Sequence, residues 1–226
     1  MPRGEFDRSE RRARTRAQLL DAAARLYAER GVDGATLDAV AEEAGFTKGA
    51  VYDHFGSKEN LLTALLDEHL AAQIAEQIGL FEANRATAQR PRIGADRWIA
   101  HVEEEPNAFR LFVEAWVKGQ REPAMRERLV AGLDAWRAMF RSFGEQRTAE
   151  LGEQRSDQLL DSVGDLMVAL GVGFAMLKLA DPERVPTGLL GAAYVVLLES
   201  LEASPDARDL LESAAREAVP TDVSQR

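Results

Sequence analysis

The sequence contains no cysteine. Disulfides and thiolate chemistry are therefore excluded, and a structural zinc site is not expected. Histidine is also scarce, at three residues: His54, His69 and His101. His101 and Glu104 stand three apart on a helix, a spacing that suits a shared ion. A helical di-metal site, however, needs several such pairs facing one another, and no second pair stands out. No metal and no cofactor are expected. The N-terminal MPRGEFDRSERRARTR has no apolar core, so it does not read as a secretory signal. Two uncharged, mostly apolar runs occur, of 12 residues at 166–177 and 14 at 185–198. Both fall short of the ~20 residues of a bilayer span and read as buried helices. The expectation is a soluble, cytoplasmic protein with no membrane partner. No Ser, His or Asp sits in a nucleophile-elbow or phosphate-loop context, so no catalytic constellation is visible and no enzyme is expected. Alternating strand patterns and internal repeats are missing too, which leaves an all-α fold class.

What is present is 46% apolar residues, enough to bury a sizeable core, in a length of 226 that admits one or two domains. A formal net charge of -10 argues at first against nucleic acid. Its distribution reverses the argument. Residues 1–58 carry ten Lys+Arg and ten Asp+Glu, and residues 1–16 hold six arginines against three acids, so the acidic excess lies beyond residue 58. Phosphate contacts supply most non-specific DNA affinity, and such a layout favours docking by the N-terminal part while the rest is repelled. The same arginines would equally serve only to solubilise a disordered end.

The stretch TLDAVAEEAGFTKGAVYDHF, residues 36–55, reads as two short helices around a tight turn. Thr36 is a capping residue, and Asp38 places a negative charge in the first turn, where the helix dipole favours it. Leu37, Val40, Ala41 and Ala44 mark one buried face, and Gly45 ends the helix. Thr47 caps a second helix with small residues, Gly49 and Ala50, near its start. Helix, glycine turn, helix is the layout of a helix-turn-helix, whose second helix enters the major groove of DNA N-terminal end first. The candidate DNA-contacting residues are Thr36, Thr47, Lys48, Gly49, Tyr52, His54 and Lys58. Lys48 and Thr47 stand where side chains reach bases or phosphate, Tyr52 and His54 follow on the same helix, and Lys58 opens the next. Val51 and Phe55 are assigned to the core.

TKGAVYDHFGSKENLL, residues 47–62, resembles the recognition-helix signature of the TetR (tetracycline repressor) family. The similarity extends over about the first 65 residues. Asp53 departs from it, standing where many members carry an aromatic or basic residue, and is expected to point away from phosphates or be neutralised by a neighbour. The resemblance implies a homodimer, double-stranded operator DNA as partner, and a C-terminal domain that holds a small-molecule effector.

The expected organisation is a disordered basic arm at 1–11, a helix-turn-helix head at 12–56, a helical effector-binding and dimerisation domain at 57–218, and a tail at 219–226. A long helix capped by Ser57 and reaching residue 82 links head to body. Trp98, Phe109, Phe112, Trp116, Trp136, Met139, Phe140 and Phe174 either pack a core or line an apolar cavity; the resemblance favours a cavity for an apolar effector. Leu170, Gly171, Leu190, Tyr194, Leu197 and Leu201 lie on two apolar helices that the resemblance implies for the dimer interface. The leading expectation is a ligand-responsive repressor. The alternatives are a constitutive regulator, an activator, or a helical enzyme or carrier with a vestigial head.

Overall fold

The apolar spacing of the sequence becomes ten helices in a computed structural model that describes residues 3–217, with side chains from 8 to 216. They are α1 (Arg3–Gly34), α2 (Leu37–Glu43), α3 (Lys48–Phe55), α4 (Lys58–Ala83), α5 (Arg90–Glu104), α6 (Pro106–Gly119), α7 (Pro123–Leu151), α8 (Asp157–Ala180), α9 (Leu189–Ala203) and α10 (Pro205–Glu217). Among the described residues there is no strand. The tail expected at 219–226 lies outside the described residues.

Residues 3–11, expected to be disordered, are instead the first turns of α1. Glutamate and arginine are good helix formers, and Glu10 precedes Arg14 by the four residues that let unlike charges support a helix. The regular helix stops at Gly31, where φ is 70° and ψ 168°, and one further turn reaches Gly34. The backbone N–H of Val32, just past this break, donates to the Glu114 carboxylate at 3.1 Å.

Contacts divide the chain into two units. The first holds residues up to Ala72 together with Glu105–Val130; the second holds Gln73–Glu104 and the described residues from Ala131 onward. This division differs from the expected boundary at 56/57. Helix α6, placed in the body by its position in the chain, inserts Leu111 and Ala115 into the same core as Leu19, Leu20, Leu26, Val40, Val51, Leu61 and Leu62. Burying each such leucine stabilises by roughly 1.5–3 kcal/mol relative to leaving it in water. Lys118, near the end of α6, reaches Glu59 at 3.6 Å.

In the second unit Ala95, Ile99, Met167, Leu190 and Tyr194 form a core joined by Trp98, Phe140, Leu170, Phe174 and Leu197. Helix α5 lies closely on α9. A Cβ at Gly191 would collide with Asp96 Oδ1 and stand 2.8 Å from Arg92 Cγ, so this crossing needs the missing side chain. The buried Tyr194 hydroxyl donates to the Met167 carbonyl at 2.6 Å. Two buried cations are also paired. Lys178 donates to the carbonyls of Pro182 and Val185 at 2.8 and 2.7 Å and meets Glu103 at 2.6 Å, stapling the α8–α9 connection. Arg90 makes two hydrogen bonds to Glu150, at 3.0 and 2.5 Å, and lies 4.5 Å from the centroid of the Phe81 ring.

Two outcomes test these constraints. With only 5% of the Arg90 side chain exposed, Glu150→Gln leaves a buried guanidinium without its charge partner. We expect a loss of about 2 kcal/mol in urea unfolding at pH 7, below the value for a fully buried pair because Glu150 is partly exposed. Hydrogen bonding from Arg90 holds the Glu150 carboxyl below its ordinary value of 4.5. Its stabilisation is therefore complete above about pH 4.5 and disappears as pH falls through the lower folded-state value, so the variant's deficit should shrink in acid. Gly45 has φ of 73° and nothing within 4 Å of an added Cβ, so Gly45→Ala should cost about 1 kcal/mol from backbone strain alone, and Gly45→Asn less.

Candidate nucleic-acid interface

The reading head is assembled from its caps inward. The Thr36 hydroxyl accepts from the Ala39 N–H at 3.1 Å, which satisfies one free donor of α2 and starts that helix. At its other end Gly45 N–H donates to Glu42 O at 3.1 Å and Phe46 N–H to Ala41 O at 2.9 Å. These two bonds are the paired closure of a Schellman turn, and they require the positive φ that Gly45 supplies. Phe46 then packs against the head core. The chain leaves that turn into Thr47, whose hydroxyl accepts from the Ala50 N–H at 3.3 Å and starts α3.

The result splits α3 into two faces. Val51 and Phe55 are buried, whereas Thr47, Lys48, Gly49 and Asp53 are exposed and Tyr52 is 51% exposed. Thr36 is exposed beside its cap. The helix begins with a Gly and an Ala, so its N-terminal end presents little bulk to an approaching surface. Its free N–H groups and dipole favour an anion at that end.

His54 is half-buried at the C-terminal end of α3. Burial lowers its pKa first, and the Arg12 and Arg16 charges of α1 lower it further, against an opposing effect of Asp53. The imidazole is thus neutral at pH 7, an N–H donor without a full charge. The Arg16 guanidinium lies 5.6 Å from the centroid of the Phe55 ring and 3.4 Å from Glu68. Exposed Arg12 and Arg16 therefore flank the end of α3, an arrangement that the sequence showed only as a basic run.

Two of the expected lysines have partners inside the head. Lys48 Nζ meets Asp38 Oδ2 at 2.5 Å, with both side chains exposed. Lys58 Nζ donates to the Asp33 carbonyl at 3.1 Å, and so ties the start of α4 to the segment between α1 and α2. The Ser57 hydroxyl accepts from Asn60 N–H at 3.2 Å, the cap expected for α4. A shallow groove of about 440 Å³ between α1 and α4 is lined by Ala13, Arg16, Ala17, Ala64, Asp67 and Glu68.

The eight aromatic and methionine residues expected to line one cavity are divided between the units. Phe109, Phe112 and Trp116 belong to α6 in the first, with successive ring centroids 5.5 and 6.0 Å apart. The second unit brings together Trp98 and Trp136 at 5.5 Å, Trp136 and Phe140 at 6.0 Å, and Phe140 and Tyr194 at 6.2 Å, with Phe174 against the same core. Met139 is buried there as well. The Trp98 indole N–H donates to the Gly171 carbonyl at 3.2 Å. Of the residues expected at a dimer interface, Gly171, Leu190, Tyr194 and Leu201 are buried within the protomer, and Leu170 and Leu197 pack half-buried on its core. They hold α5, α8 and α9 together; other side chains of α8 and α9 face outward. Among the described residues no group of three or more metal-ligating side chains comes together.

Residues 19–65 match the family described as bacterial regulatory proteins, tetR family. The chain is 31% identical over 166 residues to the transcriptional repressor AcnR of Corynebacterium diphtheriae, covering 70% of this chain and 78% of that protein. It is 33% identical over 102 residues to the transcriptional activator FasR of Mycolicibacterium smegmatis, covering 44% and 45%. Its fold is similar to a crystal structure of the transcriptional regulator FadR from Bacillus subtilis in complex with stearoyl-CoA, with a TM-score of 0.65 at 17% identity, over 80% of this chain and 96% of that one. Capped α2, the glycine turn and outward-facing α3 lie within the matched residues 19–65, and the chain belongs to the tetR family of bacterial regulatory proteins, as a DNA-binding transcriptional regulator.

Proposed function

We propose that the chain is a homodimeric repressor that binds a near-palindromic operator through α3 and is released from it by a small, largely apolar effector. The observation that carries the DNA contact is the exposed face of α3, where Thr47, Lys48, Gly49 and Tyr52 stand clear of a core made by Val51 and Phe55. Two such heads on a two-fold axis would read half-sites about one DNA turn apart, ~34–36 Å, or a multiple of it.

A second copy is supported by α8 and α9. Helix α8 is long and apolar enough by length and composition to cross a bilayer, yet only 33% of its most apolar 18-residue window is buried in the protomer. Met176 and Leu177 on α8 and Leu189 and Val196 on α9 are exposed, Val196 to 67%. Apolar side chains in adjacent outward-facing helices favour a partner that removes them from water, and a symmetric pair of this same face is self-complementary.

Effector binding is supported by the aromatic group around Trp98, Trp136, Phe140 and Phe174. The stearoyl-CoA held by the Bacillus subtilis neighbour gives a precedent for a long apolar ligand in this fold. An effector acts only through its preference for the DNA-incompetent arrangement, since equal affinity for both arrangements shifts nothing. Repression is taken over activation because the similarity to the repressor AcnR spans 78% of that protein, against 45% of the activator FasR.

Footprinting of the purified protein on DNA upstream of its own coding sequence tests the reading. A protected, near-palindromic site whose affinity falls steeply with salt is expected; no protection from a folded dimer at low salt would remove the DNA assignment of α3. On that site Tyr52→Phe should weaken binding without loss of helicity if its hydroxyl holds a phosphate, and an unchanged Kd would place Tyr52 outside the contact. Lys58→Ala should weaken binding to all sequences and flatten the salt dependence by about one. If its bond to Asp33 is its whole role, the variant will lose stability while the salt slope stays as in the wild type.

A further inference from the structure

The ion pair between Lys48 and Asp38 joins the first turns of the two helices of the reading head. Asp38 is the second residue of α2 and Lys48 the first of α3. Each turn is held by its own threonine cap, so both ends of the pair rise from fixed backbone. Both side chains are nonetheless open to solvent, with 69% of Lys48 and 46% of Asp38 exposed, and exposed pairs contribute little to folding. The pair thus sits on the exposed surface of α2 and α3, open to any ligand of α3.

We propose that Asp38 is a specificity-determining positioning residue: it holds the Lys48 ammonium so that this charge cannot act as a free phosphate clamp and directs its remaining protons at a base edge. The proposal rests on α3 being the reading helix. An ammonium has three protons. One is given to Asp38 Oδ2 at 2.5 Å, and two are left for other acceptors. A lysine already matched by its own carboxylate releases fewer counterions on meeting a phosphate, so it adds little to sequence-independent affinity. It retains the ability to donate to a base-edge acceptor such as guanine O6 or N7, which needs direction more than charge. Lys48 stays protonated throughout, because the hydrogen bond and then the charge of Asp38 raise its pKa, with smaller effects of Tyr52 and Glu42. Without Asp38 the same side chain would sit at the positive end of the α3 dipole with only the weaker effect of Glu42 as counter-charge, and DNA phosphates would compete for it.

The test compares wild type, Asp38→Asn, Asp38→Glu and the double variant Asp38→Asn/Lys48→Ala on the footprinted operator and on a mixed-sequence duplex of equal length, across a salt series. Asp38→Asn should bind the mixed duplex about fivefold more tightly, with a salt slope steeper by about 0.9 for each phosphate gained. Its operator-to-mixed affinity ratio should fall, Asp38→Glu should restore the ratio, and the double variant should show no gain. Wild-type slope and ratio in Asp38→Asn would overturn the proposal. So would a gain that persists in the double variant, which would mark simple repulsion between Asp38 and phosphate, or equal weakening on both duplexes with reduced helicity, which would confine Asp38 to starting α2. A wild-type protein that selects no sequence would instead overturn the reading of α3 itself, before any substitution is made.

Discussion

The geometry of the reading head depends on the glycine turn after α2. Gly45 takes a left-handed conformation, and the paired bonds from Gly45 and Phe46 to Glu42 and Ala41 close the helix at that point. The direction in which the chain leaves sets the angle of α3. Once the angle is set, Val51 and Phe55 fall into the core built by Leu19, Leu20, Val40 and Leu62, and Lys48 and Tyr52 can only face outward. A side chain at the turn would strain the backbone and loosen the angle at which α3 leaves α2.

Charge is arranged on two scales. The acidic excess of the chain lies beyond residue 58, away from α3 in sequence. Within the head three cations are matched with carboxylates: Lys48 with Asp38, Arg25 with Glu43 and Arg16 with Glu68. The second unit uses its charges differently. Arg90 and Lys178 are buried and paired, fastening Glu150 and the α8–α9 connection from inside, where leaving either partner alone would be expensive.

Helix α6 shows how contacts can regroup a chain. Its Leu111 and Ala115 complete the head core, and its Glu114 accepts the Val32 N–H beyond the break in α1. Its aromatic ladder of Phe109, Phe112 and Trp116 therefore travels with the head, while Trp98, Trp136 and Phe140 gather in the second unit. Helix α6 is thus packed on α1, the helix that carries the basic residues beside α3.

The sequence by itself determined the class of fold and the position of the reading helix. Caps, dipole-matched charges, a helix-ending glycine and three-and-four apolar spacing act over a few residues, so Thr36, Gly45, Thr47 and Ser57 disclosed α2, α3 and the start of α4 without knowledge of anything distant. Tertiary structure decided what depends on partners far apart in the chain. That Lys48 is held by Asp38 and Lys58 by Asp33, that α6 joins the head, and that Leu190, Tyr194 and Leu201 face their own protomer are facts of this kind. Periodicity shows that a helix has an apolar face; it does not say which other helix covers it. On α8 and α9, apolar on more than one side, that choice belongs to packing alone.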